Sequence, residues 1–207
     1  MLDKEIILVG YSGHGYVVAE AIKSCNMNIK YYSDVNKLKS NPYNLKYLGF
    51  EKSPSFMGWH KKYSFVLGLG NNKLRIETYN LIKGNGFEVL NVIHKSASVT
   101  KDVCIGAGNF IGRSVSINPF VEIMDCCIIN TGSIIEHECV INDGVHIAPG
   151  AVLAGNVTIG KRTFVGANSV IKQGVTIGDD VVIGAGTVVI NDVLSGTIIV
   201  GNPSREL

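Results

Sequence analysis

The sequence lacks a charge excess and any long apolar run, and each absence excludes a class of protein. The 207 residues carry a formal net charge of +2, far too little for a basic groove that binds nucleic acid. Charged residues make up 17% of the chain and hydrophobic residues 46%, which excludes a disordered protein. No stretch approaches the ~20 apolar residues of a membrane-spanning helix. We therefore expect a globular chain of one or two domains that binds neither nucleic acid nor membrane.

Paired cysteines are also missing. The five cysteines are an odd number, scattered along the chain at positions 25, 104, 126, 127 and 139, and they form no disulfide framework. The first residues, MLDKEIILVG, hold a short apolar run behind acidic residues and do not resemble a signal peptide. No cluster of histidine, cysteine and acids has the spacing of metal ligands, so we expect no metal. These features predict a cytoplasmic protein.

Residues 1–90 alternate between strand and helix patterns. Aliphatic or aromatic runs predict parallel strands at residues 6–9, 30–32 and 64–67. Helical spacing follows the first run at residues 16–22 and the third near residues 74–82. This alternation predicts a small Rossmann-like parallel α/β domain over residues 1–90.

From about residue 91 onward, an aliphatic residue recurs every six positions. Seventeen such positions follow one another without a slip: Ile93, Val99, Ile105, Ile111, Ile117, Ile123, Ile129, Ile135, Ile141, Ile147, Leu153, Ile159, Val165, Ile171, Ile177, Ile183 and Val189. The position two residues earlier is mostly small or β-branched, and Cys127 and Cys139 occupy it without needing a chemical role. A glycine often follows the aliphatic residue.

A period of six fits neither a helix nor a plain strand, but it fits a solenoid in which each hexad forms one side of a triangular coil. The aliphatic side chain points into the prism and stacks on its equivalent eighteen residues away, and glycine or asparagine serves turns with positive φ. Seventeen hexads make between five and six coils, a prism roughly 25 Å long. Residues 91–207 are therefore predicted to form a parallel β-helix with a C-terminal segment.

The chain resembles the hexapeptide-repeat acyltransferases, and within them the sugar O-/N-acyltransferase group. The shared stretches are VGYSGHG (9–15), GLGNNKLR (68–75), NVIHKSA (91–97), INTGSIIEHECVI (129–141), AGNVTIG (154–160) and VGNPSRE (200–206). The resemblance is strongest to the bacillosamine-pathway acetyltransferases of UDP-linked 4-amino sugars. It implies a left-handed β-helix, acetyl-CoA as co-substrate, a nucleotide-linked amino sugar as acceptor, and a homotrimer with active sites between subunits.

His137 is the candidate general base. Transfer of an acetyl group to an amine needs a base, and imidazole, with an ordinary pKa of ~6.5, suits that role. The resemblance implies that Glu138 orients the ring, whereas spacing alone leaves Glu136 as an equal candidate. A corner histidine that contacts only water is the alternative for His137.

Four further residues are candidates for acetyl-CoA binding. Gly155 lies eighteen residues after His137, one coil further, and its N–H could stabilise the oxyanion. The resemblance implies that His146 contacts acetyl-CoA near its carbonyl or pantetheine, that Ala167 and Ala185 hold the pantetheine arm, and that residues 201–203 approach the adenine. A surface histidine and ordinary corner glycines and alanines are the alternatives.

The glycine turn at residues 10–15 follows a strand and opens a helix, so its N–H groups can cradle a phosphate. Its spacing, G-x-x-G-x-G, differs from the dinucleotide fingerprint and disfavours a nicotinamide site. The resemblance implies that Gly10, Ser12, Gly13 and His14 hold the diphosphate of a sugar nucleotide.

Two strand ends add candidates for the nucleotide pocket. Asp34, after the second strand, is placed to bond a ribose or a base edge. Members of the resembled group often have two acids there, whereas this chain has Ser33, Asp34 and Val35, which leaves uracil, thymine and guanine open. Gly68 and Asn71, after the third strand, are secondary candidates, although a structural turn explains them equally.

We therefore expect an acetyl-CoA-dependent N-acetyltransferase acting on the 4-amino group of a UDP-, dTDP- or GDP-linked 4-amino-4,6-dideoxyhexose. O-acetylation of sialic acid or a related glycan is one alternative, since the same base serves a hydroxyl. A non-catalytic trimer that binds nucleotides is the other.

Overall fold

The computed structural model describes residues 5–207. Residues 1–4 lie outside the described residues. The prediction that residues 1–10 form no signal peptide rests partly on them. Within the described part, no helix has both the length and the apolar character needed to cross a membrane.

The N-terminal part is a parallel four-stranded sheet with two helices. Its elements are β1 (Glu5–Val9), α1 (Gly13–Ser24), β2 (Ile29–Ser33), β3 (Lys46–Tyr47), β4 (Tyr63–Leu67) and α2 (Asn72–Gly84). The strand order is β3-β2-β1-β4, and all pairings are parallel. The three predicted strands and both helices are confirmed. Strand β3 was not predicted, because two residues are too few to show the alternation of apolar and polar side chains that indicates a strand.

Helix α1 begins three residues earlier than predicted. The first turn closes when the Tyr16 N–H donates to the Ser12 carbonyl at 2.8 Å, so the last part of the glycine turn belongs to the helix. Ser12 has extended backbone angles and is the N-cap residue. The glycine motif therefore places its N–H groups at a helix N-terminus.

The C-terminal part is a triangular parallel β-helix. Its strands are β5 (Val92–Ile93), β6 (Ser98–Val99), β7 (Cys104–Ile105), β8 (Phe110–Ile111), β9 (Ser116–Ile117), β10 (Glu122–Ile123), β11 (Ile128–Ile129), β12 (Ile134–Ile135), β13 (Val140–Ile141), β14 (His146–Ile147), β15 (Val152–Leu153), β16 (Thr158–Ile159), β17 (Phe164–Val165), β18 (Val170–Ile171), β19 (Thr176–Ile177), β20 (Val182–Ile183), β21 (Val188–Val189), β22 (Ile198–Val200) and β23 (Arg205–Glu206). This fold class, a small Rossmann-like α/β unit followed by a left-handed β-helix, is the predicted one.

The strands form three flat faces. Sheet 1 contains β5, β8, β11, β14, β17, β20 and β22, with β23 antiparallel at its end; sheet 2 runs from β6 to β21, and sheet 3 from β7 to β19. Partners such as Ile129 and Ile147 are eighteen residues apart, one coil. We name the turns by the sheets they join: residues 130–133 lie at corner 1–2, residues 136–139 at corner 2–3, and residues 142–145 at corner 3–1.

The predicted inward aliphatic residues fill the prism from Ile111 to Val189. Ile93 is wrong as a core residue, since it is 37% exposed at the open N-terminal end, where no earlier coil covers it. The prediction that glycine or asparagine serves turns with positive φ is confirmed, as at Gly132, Gly150 and Asn168, but the glycines that directly follow the aliphatic residue are not those positions. Positive φ falls two residues later, as at Glu138 and Asn156, while a side chain on Gly160 would collide with the backbone of Gly178 in the next coil.

The α/β unit packs on the outer face of sheet 1. Val92, Phe110 and Ile128 point outward from that sheet and are buried in one cluster with helix α1 and strand β2. On the other side, Cys126 packs with β1, β4 and α2. The glycine loop is thereby brought against the outer face of sheet 1, where the His14 ring contacts Phe110.

Candidate active site

His137 lies at corner 2–3 with its imidazole 49% exposed. Its Nδ1 lies 3.0 Å from Oε2 of Glu138, a residue held at φ +60°. This left-handed conformation at a tight corner turns the side chain of Glu138 back toward the preceding ring. The carboxylate can accept an N–H from Nδ1, which leaves Nε2 with its lone pair outward.

Glu136, the competing carboxylate, is engaged elsewhere. Its Oε2 accepts a hydrogen bond from Nδ2 of Asn118, one coil below, at 2.8 Å. The geometry therefore pairs the imidazole with Glu138 and gives Glu136 a bond along the prism.

Gly155 lies directly against the His137 ring. A side-chain carbon built on Gly155 would stand 2.5 Å from Cε1 and Nε2 of that ring, so only glycine leaves the imidazole in place. Within residues 5–207 the Gly155 N–H donates to no protein acceptor. Gly155 therefore brings a backbone N–H without a protein acceptor close to the His137 ring, as a donor to an oxyanion would require.

His146 lies on the outer face of sheet 1. His137 lies at corner 2–3, which is the corner of the prism opposite that sheet. The Nε2 of His146 lies 3.2 Å from Nδ2 of Asn130, and its Nδ1 is buried without a hydrogen-bond partner. Burial, together with the positive charge of Arg75, lowers its pKa to about 3. The imidazole is therefore neutral at physiological pH.

His14 faces His146 from the first turn of α1. The two ring centroids are 6.3 Å apart, and Phe110 contacts the His14 ring edge-on. Burial and then Arg75 lower the pKa of His14 to about 4, and its Nε2 is buried with no partner. The structure thus places a residue predicted for the nucleotide next to one predicted for acetyl-CoA.

The N-terminus of α1 has free donors. Ser12 makes no capping hydrogen bond, and in the described chain the N–H groups of Gly13, His14 and Gly15 find no acceptor. Helix α2 differs, because the side chain of Asn71 caps it by accepting the Leu74 N–H at 3.0 Å. Free N–H groups at a helix N-terminus favour an anion, and the capping role accounts for Asn71.

Gly10, Gly15 and Gly68 meet where the glycine loop crosses the end of β4. A side chain on Gly68 would collide with the Gly10 carbonyl, and one on Gly15 would collide with the same oxygen. Asp34 braces this loop, since its Oδ2 accepts the Tyr11 N–H at 2.9 Å. Gly68 therefore serves close packing, and the carboxylate of Asp34 already has a structural partner.

The predicted residues fall into two groups at opposite edges of sheet 2. His137 and Gly155 lie at corner 2–3, while Ala167 and Ala185 lie at corner 1–2, and His146 lies on the outer face of sheet 1 beside His14 of the glycine loop. One side of the prism, roughly 15–20 Å, separates the two edges. Residues 201–203 form the turn between β22 and β23 at the C-terminal end. A single chain therefore does not bring the two groups together.

Sequence reasoning missed three polar residues of this region: Arg75, Asn118 and Asn130. Arg75 and Asn130 lie within quoted stretches and Asn118 lies outside them, but the role of each depends on contacts between distant parts of the chain that no local pattern reveals. It also missed a cleft of about 350 Å³ between α1 and the prism, lined among others by Tyr16, Val17, Tyr43, Phe110, Arg113 and Thr131. In the described chain no three histidine, cysteine or acidic side chains are placed to hold a metal ion.

Two family models match separate parts of the chain. Residues 5–82 match the PglD N-terminal domain, and residues 156–190 match the hexapeptide repeat of succinyl-transferase.

Solved structures of similar proteins span nearly the whole chain. A perosamine N-acetyltransferase variant from Caulobacter crescentus, in complex with CoA and GDP-perosamine, is 29% identical, with a TM-score of 0.92 over 98% of this chain and 96% of that one. The acetyltransferase domain of PglB from Neisseria gonorrhoeae, in complex with acetyl coenzyme A, is 27% identical, with a TM-score of 0.91 over 99% and 100%. WeeI from Acinetobacter baumannii is 25% identical, with a TM-score of 0.87 over 98% and 99%.

Proposed function

We propose that this chain, which is similar to hexapeptide-repeat acyltransferases and matches the PglD N-terminal domain over residues 5–82, transfers an acetyl group from acetyl-CoA to the amino group of a nucleotide-linked amino sugar. The solved relatives support the reaction class, since two are named as N-acetyltransferase or acetyltransferase and are bound to CoA, GDP-perosamine or acetyl coenzyme A. The proposed acceptor is the 4-amino group of a 4,6-dideoxyhexose.

The observation that carries the proposal is the His137–Glu138 pair beside the free N–H of Gly155. The chemistry needs a base at the amine and a donor at the thioester oxygen, and these two groups adjoin each other at corner 2–3. Their position explains the three ionisable residues in the run IIEHECV: Ile135 and Cys139 point inward, and the residues between them face out.

His137 is proposed to act by direct transfer. The amine nitrogen attacks the thioester carbonyl while Nε2 takes the proton from that nitrogen, and Glu138 stabilises the resulting imidazolium. The Gly155 N–H donates to the oxygen that gains the negative charge. When the carbon–sulfur bond breaks, the imidazolium returns its proton to the sulfur, so the products are the amide and free CoA. No acyl-enzyme forms.

The free N–H groups at the start of α1 are proposed to bind the diphosphate of the acceptor. Gly13 and His14 supply uncapped donors, and the helix macrodipole favours negative charge there. Ser12 lies exposed at the same point. The base and ribose would then lie toward Asp34 and the end of β2.

A homotrimer is proposed because the two groups of residues lie at opposite edges of sheet 2. Threefold symmetry can place corner 2–3 of one subunit against corner 1–2 and the α1 N-terminus of the next. Sheet 2 also presents an apolar outer stripe, in which Ile134 (37% exposed) and Val170 (39% exposed) alternate with the half-buried Val152 and Val188. Such a stripe favours burial against another prism.

The proposal is tested by incubating the purified chain with acetyl-CoA and a panel of UDP-, dTDP- and GDP-linked 4-amino-4,6-dideoxyhexoses. Thiol release identifies turnover, and mass spectrometry locates the acetyl group. We expect turnover with one nucleotide series. Turnover only with sialic acid would replace the proposed acceptor, and no transfer to any amino sugar or sialic acid would leave a non-catalytic protein that binds nucleotides.

The His137→Asn variant tests the base in the same assay. Asparagine keeps the approximate shape of the ring but cannot take a proton at neutral pH, so kcat should fall about 10²- to 10⁴-fold. Binding of CoA, measured by calorimetry, should stay within about twofold. Near-normal turnover by this variant would refute the assignment.

A further inference from the structure

Arg75 is buried in the protein without a counter-ion. Its side chain is 1% exposed, and no carboxylate in the described chain forms an ion pair with it. Burial lowers its pKa to about 10, so it stays charged under physiological conditions. A buried cation without a partner charge is costly and persists where its hydrogen bonds are needed.

The guanidinium of Arg75 joins the α/β unit to the prism. On the α/β side, Nη1 donates to the carbonyls of Leu69 and Gly70, each at 3.1 Å. On the prism side, Nε donates to the Cys126 carbonyl at 2.7 Å and Nη2 to the Gly144 carbonyl at 2.9 Å. The planar fork therefore fixes the loop after β4 against two successive turns of corner 3–1.

The loop held by Arg75 supports the glycine loop. Gly68 packs against Gly10 and Gly15 so closely that neither contact admits a side chain. Two residues on, a side-chain carbon at Gly70 would stand 3.8 Å from Cβ of His14. On the prism side, Arg75 holds the residues next to His146. Its Nη2 donates to the carbonyls of Gly144 and Val145, the latter at 3.3 Å, and these two residues immediately precede His146.

We infer that Arg75 is a positioning residue that sets the distance between the α1 N-terminus and the coil carrying His146, and so places the nucleotide-linked acceptor relative to the acetyl donor. The inference rests on the proposed function and adds a determinant of acceptor binding outside the residues that would touch substrate. Arg75 acts through Leu69, Gly70 and the glycine loop.

Tyr79 shows that attaching the helix to the prism does not by itself require this arginine. It lies one turn further along α2, and its hydroxyl donates to Oδ2 of Asp125 at 2.7 Å, also at corner 3–1. Tyr79 holds the same helix to the same corner but makes no hydrogen bond to the loop after β4. The two residues form a matched pair, of which only Arg75 donates to the loop after β4 that packs against the glycine loop.

The test compares the Arg75→Lys and Tyr79→Phe variants in steady-state kinetics. Lysine keeps the charge but cannot hold both sides of the junction at once. We expect KM for the nucleotide sugar to rise about tenfold or more in Arg75→Lys, with KM for acetyl-CoA within about twofold. Tyr79→Phe should lower the melting temperature yet leave both constants near those of the wild type. An unchanged acceptor KM in Arg75→Lys, or an equal rise in both variants, overturns the inference.

A second readout is independent of activity. In the wild type, NMR cross-peaks between the ring protons of His14 and His146 report their separation, with centroids 6.3 Å apart. Arg75→Lys should weaken these cross-peaks, and Tyr79→Phe should leave them unchanged. If the wild type acetylates no sugar, the proposed function fails while the cross-peaks still test the positioning; unchanged cross-peaks in Arg75→Lys refute it.

The Asn72→Ala variant covers the case in which Arg75→Lys does not fold. Oδ1 of Asn72 accepts from Nη2 of Arg75 at 3.0 Å, so its removal loosens the fork without removing the charge. We expect the same selective rise in acceptor KM, smaller than in Arg75→Lys, and weaker cross-peaks between the two histidines. A folded Asn72→Ala protein that shows neither change argues against the inference.

Discussion

His137 has a carboxylate on each side in the sequence, and only the backbone decides between them. Glu138 lies at the positive-φ position of the corner, which bends its side chain back to the ring, whereas Glu136 reaches down the prism to Asn118. The positive-φ position recurs through the prism, at Phe120 and Asn156 among others. The backbone conformation that directs the carboxylate is thus common to this corner of the solenoid, and the sequence has a glutamate at this position in the coil that carries His137.

Replacing each carboxylate by its amide separates the two roles. Glu138→Gln removes the charge that orients the ring and stabilises the imidazolium, so kcat should fall about 10- to 100-fold. Glu136→Gln changes a residue bonded to Asn118, and kcat should stay within about twofold. Steady-state kinetics with saturating acetyl-CoA checks both values. A larger loss in Glu136→Gln than in Glu138→Gln would reverse the assignment.

The two buried histidines make the stability of the fold depend on pH. The pKa of His14 is lowered to about 4 and that of His146 to about 3, chiefly by burial, from an ordinary value of 6.5. Between pH 6.5 and about 4 the unfolded chain binds protons that the folded chain excludes, so the free energy of unfolding falls as pH falls through this window. Above pH 6.5 the two groups contribute no pH dependence.

We therefore expect the urea midpoint to decrease as the pH is lowered from 6.5 to 5, and the decrease to be smaller in His14→Asn. Asparagine does not titrate. The difference between the wild type and His14→Asn in the slope of urea midpoint against pH therefore reports the His14 imidazole alone, because the carboxylates contribute equally to both slopes. Equilibrium unfolding at several pH values gives both slopes. Identical slopes would show that His14 titrates normally in the folded protein.

At the scale of elements, the two helices differ in how they begin. Asn71 caps α2, while α1 starts from Ser12 without a side-chain cap and has no acid in its first turn. The uncapped N-terminus leaves donors available to the proposed diphosphate, at the cost of the stability that a side-chain cap would add. Gly13 is the position at which this is testable, because a side chain there meets no atom within 4 Å.

The Gly13→Asp variant should be more stable and bind its substrate less well. A carboxylate at the N-terminus interacts favourably with the helix dipole, by about 0.3–1 kcal/mol, and repels a diphosphate. The melting temperature should rise, and affinity for the free nucleoside diphosphate should fall about tenfold. Gly13→Asn, similar in size but neutral, should bind near-normally. Undiminished binding by Gly13→Asp would exclude α1 as the phosphate site.

The period of a repeat is the part of this fold that the sequence reveals best. Seventeen aliphatic positions predict the prism because each coil repeats the same burial, and the prediction fails only where the repetition ends, as at Ile93. The candidate site is less predictable. The contact between His14 and His146 joins residues 132 positions apart in the chain, through side chains of two different folding units. No local pattern encodes such a contact. The burial of Arg75 could not be predicted either, because the sequence of a helix does not distinguish a buried arginine from an exposed one.

At the scale of the whole molecule, the distribution of the site residues implies an assembly. The proposed base and oxyanion donor lie at corner 2–3, and the proposed acceptor site lies at the N-terminus of α1 on the far side of sheet 2. If the apolar stripe of sheet 2 packs against a neighbour, each subunit contributes one half to each of two sites. Catalysis would then be inseparable from association, and a monomer would fold without acting.

Mixed assemblies test this division directly. His137→Asn chains retain the acceptor site, and Gly13→Asp chains retain the base, so at low acceptor concentration the pure His137→Asn protein should be nearly inactive and the pure Gly13→Asp protein should keep about a tenth of the wild-type activity. When the two are co-expressed in equal amounts, random trimers with shared sites should place an intact base opposite an intact loop in about a quarter of the sites. Activity should therefore return to about a quarter of the wild-type value, measured by thiol release per site. If both halves of a site came from one chain, the mixture would stay as inactive as its parents, and the trimeric site would be refuted.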